Sequence, residues 1–320
     1  MPINADKPHM WKTDTRASVD QFNQWFMNFA PKAYRDTRKK TIERVEQGLK
    51  LTKDLTTVTP EVIHVNPGIL PTLRMSACPP LARDRLIGLA DSSKNFVGCL
   101  EQGKLPPQLS PELLREHLAK ISGILARMLD LDIFPWLEEK RRPTKEERYR
   151  SSTVVADRLC GAVAEPIVRN AQEKRQLDLI ENYLTERGYK LKRHPAVTLL
   201  TRMEPGTFSF RLNVLVKPSR VEAKRVKIPI DAVIQPKEVR LPHLPILIEA
   251  KSAGDFTNVN KRRKEEATKI NQLKATYGEQ VVYVLFLCGY FDAAYLGYEA
   301  AEGIDWIWEH RIGDMEQLGL

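Results

Sequence analysis

Three side chains have the types and spacing to do chemistry together: Asp231 in "KIPIDAV", and Glu249 with Lys251 in "LPILIEAKSAGD". Alternate side chains of a strand share a face. Leu247, Glu249 and Lys251 therefore project one way, Ile246, Ile248 and Ala250 the other, and the acid and the lysine stand about 7 Å apart along the strand. In the preceding apolar run Ile228 and Ile230 share one face and Asp231 takes the opposite one. A hairpin through "QPKEVRLPHLP" puts Asp231 beside Glu249. Two such carboxylates repel, so one tends to protonate unless a cation neutralises them. Mg²⁺, which takes oxygen ligands, keeps several waters and binds phosphates, is the natural guest. A lysine alongside orients or helps deprotonate water and stabilises charge on an attacked phosphate. The chemistry such a trio could perform is in-line attack of water on a phosphodiester.

Acid-x-Lys alone is a weak pattern; it occurs at Glu138–Lys140, Glu222–Lys224 and Glu249–Lys251. The first lies in a charged stretch and the second has no apolar run before it. Only the third ends an apolar strand, follows a strand carrying an aspartate, and precedes a helix. The structural alternative is a plain Glu–Lys pair at a strand end, and burying such charges without a metal or partner is costly.

The elements that must position this trio fill the second half of the chain. Helical periodicity runs through "VVADRLCGAVAEPIVRNAQEKRQLDLIENYLTERG", with Gly188 as C-cap. The period then shifts towards two in "GTFSFRLNVLVKP", "RVKIPIDAVIQP" and "LPILIEAKSA", which read as strands. A helix in "VNKRRKEEATKINQLKATYG" and an apolar strand in "QVVYVLFLCGY" follow. Helix, three strands, helix, strand is an α/β layer arrangement. The first half reads as helical. "SVDQFNQWFMNFA" puts Val19, Phe22, Phe26 and Phe29 on one face, with Ser18 as N-cap and Pro31 opening a second helix. In "SPELLREHLAKISGILARMLDLD" the core face is Leu114, Leu118, Ile121, Ile124 and Leu125. The charged "EEKRRPTKEERYR", linker or exposed helix, closes this half. The expected division is therefore a helical region 1–150 and an α/β core 151–320.

The 320 residues are 42% hydrophobic and 28% charged, as in a soluble globular protein. A net charge of +9 favours a polyanion partner or simply solubility. Four scattered cysteines argue against a disulfide framework or zinc knuckle, and with no apolar leader at the N-terminus the expectation is a soluble protein of the cytoplasm. The longest apolar run is too short to span a bilayer. No GxxxxGK loop, GxSxG elbow or HExxH pair occurs, and the six histidines are dispersed. Lys261, Arg262, Arg263 and Lys264 crowd the predicted start of the helix after the trio, where cations are unfavourable. A docked polyanion reverses that penalty, since the helix N-terminus and the cations then act together. A solvated charge run is the alternative. Arg35 and Arg38 on one helix stripe, and Arg74, Arg83 and Arg85 around "LPTLRMSACPPLARDRLIGLAD", are further candidates for phosphate contact.

Pro229-Ile230-Asp231 with Glu249-Ala250-Lys251 resembles the signature of the PD-(D/E)xK nuclease superfamily, and the order of elements matches its restriction-endonuclease-like core, a mixed sheet flanked by helices. More narrowly, "EAKSAGDFTNVNKRRKEEATK", "SVDQFNQWFMNFAPKAYRDTR" and "EGIDWIWEHRI" are similar to XamI-type type II restriction endonucleases. The resemblance implies Asp231 and Glu249 as metal ligands and Lys251 as the catalytic lysine. It further implies a glutamate from the helix before the first strand, for which Glu165 is the candidate. Ile230 departs from the pattern where a second acid can precede the aspartate. The implied activity is Mg²⁺-dependent, sequence-specific cleavage of double-stranded DNA to 5′-phosphate and 3′-hydroxyl ends. A homodimer is expected on a palindromic target, and a companion DNA methyltransferase in the cell. A repair or junction-resolving nuclease of the same fold, or an inactive DNA-binding protein, are the alternatives.

Overall fold

The structure, a computed structural model, describes residues 2–193, 203–217, 226–238, 244–257 and 259–320, without the side chains of 259–262. It divides into two compact units, 30–168 and 1–29 with 169–320. The boundary expected near residue 150 falls inside a helix. Thr144 Oγ1 accepts the Glu147 N–H at 3.1 Å and Glu147 Oε2 accepts the Thr144 N–H at 2.8 Å. This reciprocal capping starts α8 (Lys145–Glu186) within the charged stretch. Pro31 likewise does not begin a second helix but lies inside α1 (Pro8–Leu51). The carbonyl four residues earlier, which loses its donor there, belongs to Met27; that residue is 67% exposed, so water can replace the missing bond.

Unit 30–168 is helical. Between the long helices come α2 (Pro60–Val65), α3 (Leu70–Met75), α4 (Arg83–Leu89), α5 (Lys94–Glu101), α6 (Pro111–Arg127) and α7 (Pro135–Glu138). Ser110 caps α6 by accepting the Leu113 N–H. Its expected face is the one that packs: Leu118, Ile121 and Leu125 are buried and Leu114 and Ile124 lie against them. They join Val45, Leu49, Leu73, Phe96, Trp136 and Val155 in one apolar cluster.

The other unit is built on a six-stranded mixed sheet, α/β as the sequence indicates. Its strands are β1 (Lys190–Leu191), β2 (Thr207–Val216), β3 (Val226–Gln235), β4 (Ile246–Ala253), β5 (Tyr283–Gly289) and β6 (Asp305–Trp308), in that spatial order. β2, β3 and β4 run antiparallel, β4, β5 and β6 parallel. Parallel neighbours need crossovers, and α9 (Val259–Tyr277) and α10 (Ala293–Ala301) supply them. Ile270 and Leu273 of α9 and Tyr295 and Leu296 of α10 pack on one face with Leu247, Leu285 and Trp306. Leu177, Ile180 and Leu184 of α8 cover the other with Phe208, Ile248 and Phe286. β5, covered on both faces, is buried throughout, which is why it reads as an unbroken apolar run. Gly188, at φ +75°, ends the α8 turn as expected. Ser18 does not cap: it is interior to α1, and its Oγ accepts the Gly289 N–H at 2.8 Å. Of the aromatic residues expected on one face of this helix, Phe22 is buried and Phe26 is 43% exposed. Among the described residues no helix is long and apolar enough to cross a membrane.

Candidate active site

β3 pairs with β4 at Ala232↔Ile248, Val233↔Leu247 and Ile234↔Ile246. One step further in the same register Asp231 meets Glu249, and there the ladder opens. Asp231 Oδ2 takes the Ala250 N–H at 2.9 Å, a side-chain acceptor at the point where the ladder ends. The opening is mirrored on β2. Arg211 lies opposite Asp231 in register and has φ +52°, a left-handed conformation unfavourable for a residue with a Cβ. On both strands the buried residues change face here: Leu212 and Ile230 pack towards α9, Phe208 and Ala232 towards α8. Beyond the opening, Gly289 allows β5 to close on the end of β4. Its φ is +102°, and a Cβ there would stand 2.1 Å from Ala253 O.

Glu249 and Lys251 share the α9 side of β4. Lys251 Nζ lies 3.2 Å from Glu249 Oε1 and 2.9 Å from Glu266 Oε1, while Lys269 Nζ lies 2.6 Å from Glu249 Oε1. Glu266 and Lys269 both come from α9, and Glu266 is fully buried. Burial alone favours a neutral amine at Lys251, but Glu249 and Glu266 outweigh it and raise its pKa. Asp231 is pushed up to about 6, first by burial and then by the charge of Glu249, with the Ala250 N–H and Lys251 pulling the other way. Against Glu266 sits Glu299 of α10, also fully buried and pushed up to about 8 by burial and then by Glu266.

A third acid of the sheet-bearing unit faces this opening from α8. Glu165 is exposed and belongs to unit 30–168. Glu173, two turns further along α8 and within the sheet-bearing unit, adds its charge to Asp231 and pairs with Arg211 at 2.9 Å. Gln176, one turn beyond Glu173, donates to Phe286 O at 3.2 Å and to Lys251 O at 3.4 Å, tying β5 and β4 at the site. It carries no motif of its own and shows only as a polar residue within an apolar helical stripe.

A divalent cation suits this donor set. Burial and then the Glu249 charge favour the protonated form of Asp231, and Glu249 Oε2 is buried with no hydrogen-bond partner among the described residues. Among those residues no group of three or more His, Cys, Asp or Glu forms a cage. Two carboxylates with the remaining positions left to water and phosphate is the way Mg²⁺ is usually held.

A model of the XamI restriction endonuclease family matches residues 53–308, which include Asp231, Glu249 and Lys251. The type II restriction enzyme SalI of Streptomyces albus G is 57% identical over 317 residues, 99% of each chain. The chain belongs to the XamI restriction endonuclease family. The type II restriction enzyme XamI of Xanthomonas campestris pv. amaranthicola is 25% identical over 211 residues, 66% of each chain. No solved structure matches. Membership of the XamI family makes this protein an enzyme, a site-specific deoxyribonuclease of the restriction type.

The basic residues singled out for DNA in this XamI-family chain separate by burial. Arg74 is internal: its guanidinium pairs with Glu101 at 2.6 Å and donates to Leu81 O, so it is a structural cation of the helical unit. Arg35, Arg38, Arg83 and Arg85 are exposed. On α9, Lys264 is exposed and the Arg263 guanidinium lies 4.8 Å from the Tyr298 ring centroid. The Lys261 and Arg262 side chains, like Glu222 and Lys224, lie outside the described residues.

Proposed function

We propose that the protein cuts double-stranded DNA at a specific sequence by Mg²⁺-dependent hydrolysis, with Asp231 and Glu249 as metal ligands and Lys251 as the catalytic lysine. The observation that carries this is the opening of the β3–β4 ladder where Asp231, Glu249 and Lys251 converge. Mg²⁺ bound there supplies Lewis-acid activation of water and neutralises charge on the phosphate. Asp231 is held for this by the Ala250 N–H, and Glu249 by Lys251 and Lys269. Lys251, kept as an ammonium by its two carboxylate neighbours, acts as a hydrogen-bond donor to the attacking water and to the phosphate oxygen on which charge grows. Water adds to phosphorus opposite the 3′ oxygen and releases a proton to solvent, the P–O3′ bond breaks, and the leaving oxygen takes up a proton from solvent. The products are a 5′-phosphate and a 3′-hydroxyl. Glu173, rather than Glu165, is our assignment for the third acid of the site.

The first turn of α9, with Lys261, Arg262, Arg263 and Lys264, is our choice for the backbone contact. The helical N-terminal region, with Arg35, Arg38, Arg83 and Arg85 exposed, is our choice for recognition or dimerisation. A palindromic target calls for a two-fold homodimer, and a nuclease of this kind in the cytoplasm calls for a companion methyltransferase that protects the cell's own DNA.

Plasmid DNA incubated with the protein in Mg²⁺ should give discrete fragments, and in EDTA none. Their 5′ ends should accept a kinase label only after phosphatase treatment. Asp231→Ala and Lys251→Ala should each abolish cleavage and leave DNA binding largely intact. Cleavage retained in either variant would falsify the site assignment, and nicking confined to branched DNA would favour a junction-resolving enzyme.

A further inference from the structure

The two charged ends of the β4 pair are each gripped from the same helix. Along Glu266, Lys251, Glu249 and Lys269 the charges alternate in sign, with successive separations of 2.9, 3.2 and 2.6 Å. Glu266 and Lys269 are three residues apart on α9, the spacing that places both on one face. That face is otherwise apolar: Ile270 and Leu273 bury beside them against β4 and β5. An uncharged residue at 266 would suit the packing better, because a buried ion pair is often no more stable than the apolar residues that could replace it. Lys269 Nζ also lies 3.5 Å from Pro229 O, two residues before Asp231, so the same side chain reaches both strands of the opening.

We propose that Glu266 and Lys269 are positioning residues of the cleavage reaction: Glu266 fixes the Lys251 ammonium and Lys269 fixes the Glu249 carboxylate. A lysine carries a flexible four-carbon stem, and a carboxylate on either side of Nζ narrows where it can stand. Misplacing a reacting group by an ångström can cost about a hundredfold in rate. The helix whose first turn carries the basic run thereby also sets the geometry of the catalytic pair. This inference rests on the assignment of Glu249 and Lys251 made above.

The test is single-turnover cleavage of a plasmid that the wild-type protein cuts, with enzyme and Mg²⁺ saturating, for Glu266→Gln, Glu266→Asp, Lys269→Met and Lys251→Ala. DNA affinity without metal and the melting temperature are measured alongside. Glu266→Gln and Lys269→Met should each slow the cleavage step by about 10- to 100-fold, with DNA affinity unchanged within about twofold and melting little altered. Glu266→Asp, which keeps the charge, should recover part of the rate that the amide loses. Wild-type rates in both neutral variants overturn the proposal, as does a loss that only follows the folded fraction. Should Glu266→Gln fail to fold, Lys269→Met, at a side chain 20% exposed, decides alone. Cleavage surviving in Lys251→Ala strikes instead at the site assignment beneath.

Discussion

The buried Glu299 gives a stability effect whose sign and pH window can be worked out in advance. It is fully buried on α10, facing Glu266 and Arg263 from α9 and Tyr295 and Glu302 on its own side. Its carboxyl is pushed from an ordinary 4.5 up to about 8, by burial first and by the Glu266 charge second. Below about 4.5 the folded and unfolded chains both hold the proton, and Glu299 costs nothing. Between 4.5 and 8 the unfolded chain releases a proton that the folded chain keeps, so stability falls as pH rises. Above 8 the folded chain must ionise it, and the penalty is complete. At about 1.4 kcal/mol for each pH unit of displacement, the ceiling is roughly 5 kcal/mol. Relaxation and water entry reduce that to a working figure of about 2 kcal/mol.

Glu299→Gln keeps the shape and removes the titration. The variant should melt close to wild type at pH 5 and several degrees above it at pH 9, with the gap opening across neutral pH. Thermal melts of both proteins at pH 5, 7 and 9 measure it. A gap that stays constant with pH, or that favours wild type at pH 9, refutes the reasoning. Because Glu299 is set against Glu266 and not against Lys251, plasmid cleavage by the variant at pH 7 should continue.

Two further substitutions test the frame around the site. Gly289→Ala puts a Cβ 2.1 Å from Ala253 O at φ +102°; it should destabilise by more than about 2 kcal/mol in chemical denaturation, and a stability within experimental error of wild type would remove the argument for close approach at the end of β4. Arg74→Ala leaves Glu101 partly buried without its 2.6 Å partner and should cost about 3 kcal/mol. It should leave the slope of log DNA affinity against log salt unchanged, whereas loss of a phosphate contact lowers that slope by about one.

What the sequence made legible follows from how local the causes are. Glu249 and Lys251 stand out because a strand pattern of period two breaks at the two charged residues, and Asp231 because its strand is adjacent and antiparallel, so the register brings the pair together. The helices α6 and α9 read correctly for the same reason: the apolar stripe needs no knowledge of its partner. Elements with short or unusual signals were lost. β1 has two residues, and the extent of α1 depends on whether Pro31 breaks a helix, which turns on the exposure of the carbonyl it leaves behind rather than on the proline itself.

The residues that escaped notice at the site are those whose meaning is wholly tertiary. Glu266 and Lys269 lie within "NKRRKEEATKINQ", where seven of thirteen residues are charged and a solvated surface is the natural reading. Only the fold reveals that the same helix has two electrostatic sides: Lys264 and Glu265 are in solvent, while Glu266 is fully enclosed against Lys251. Charge density along a helix therefore says little about which charge is buried. The discriminating signal lies in register, since Glu266 falls on the Ile270–Leu273 stripe and the cations of the first turn are read separately from it. Arg74 shows the converse. It has the same residue type as the exposed Arg83 and Arg85, yet it sits on the apolar face of α3 among Leu70 and Leu73, and is spent on Glu101. A charged residue on a buried stripe is either a structural pair or part of a site, and what separates the two is its partner: Glu101 is a half-buried acid of the helical unit, whereas Lys251 faces the opening where two strands part.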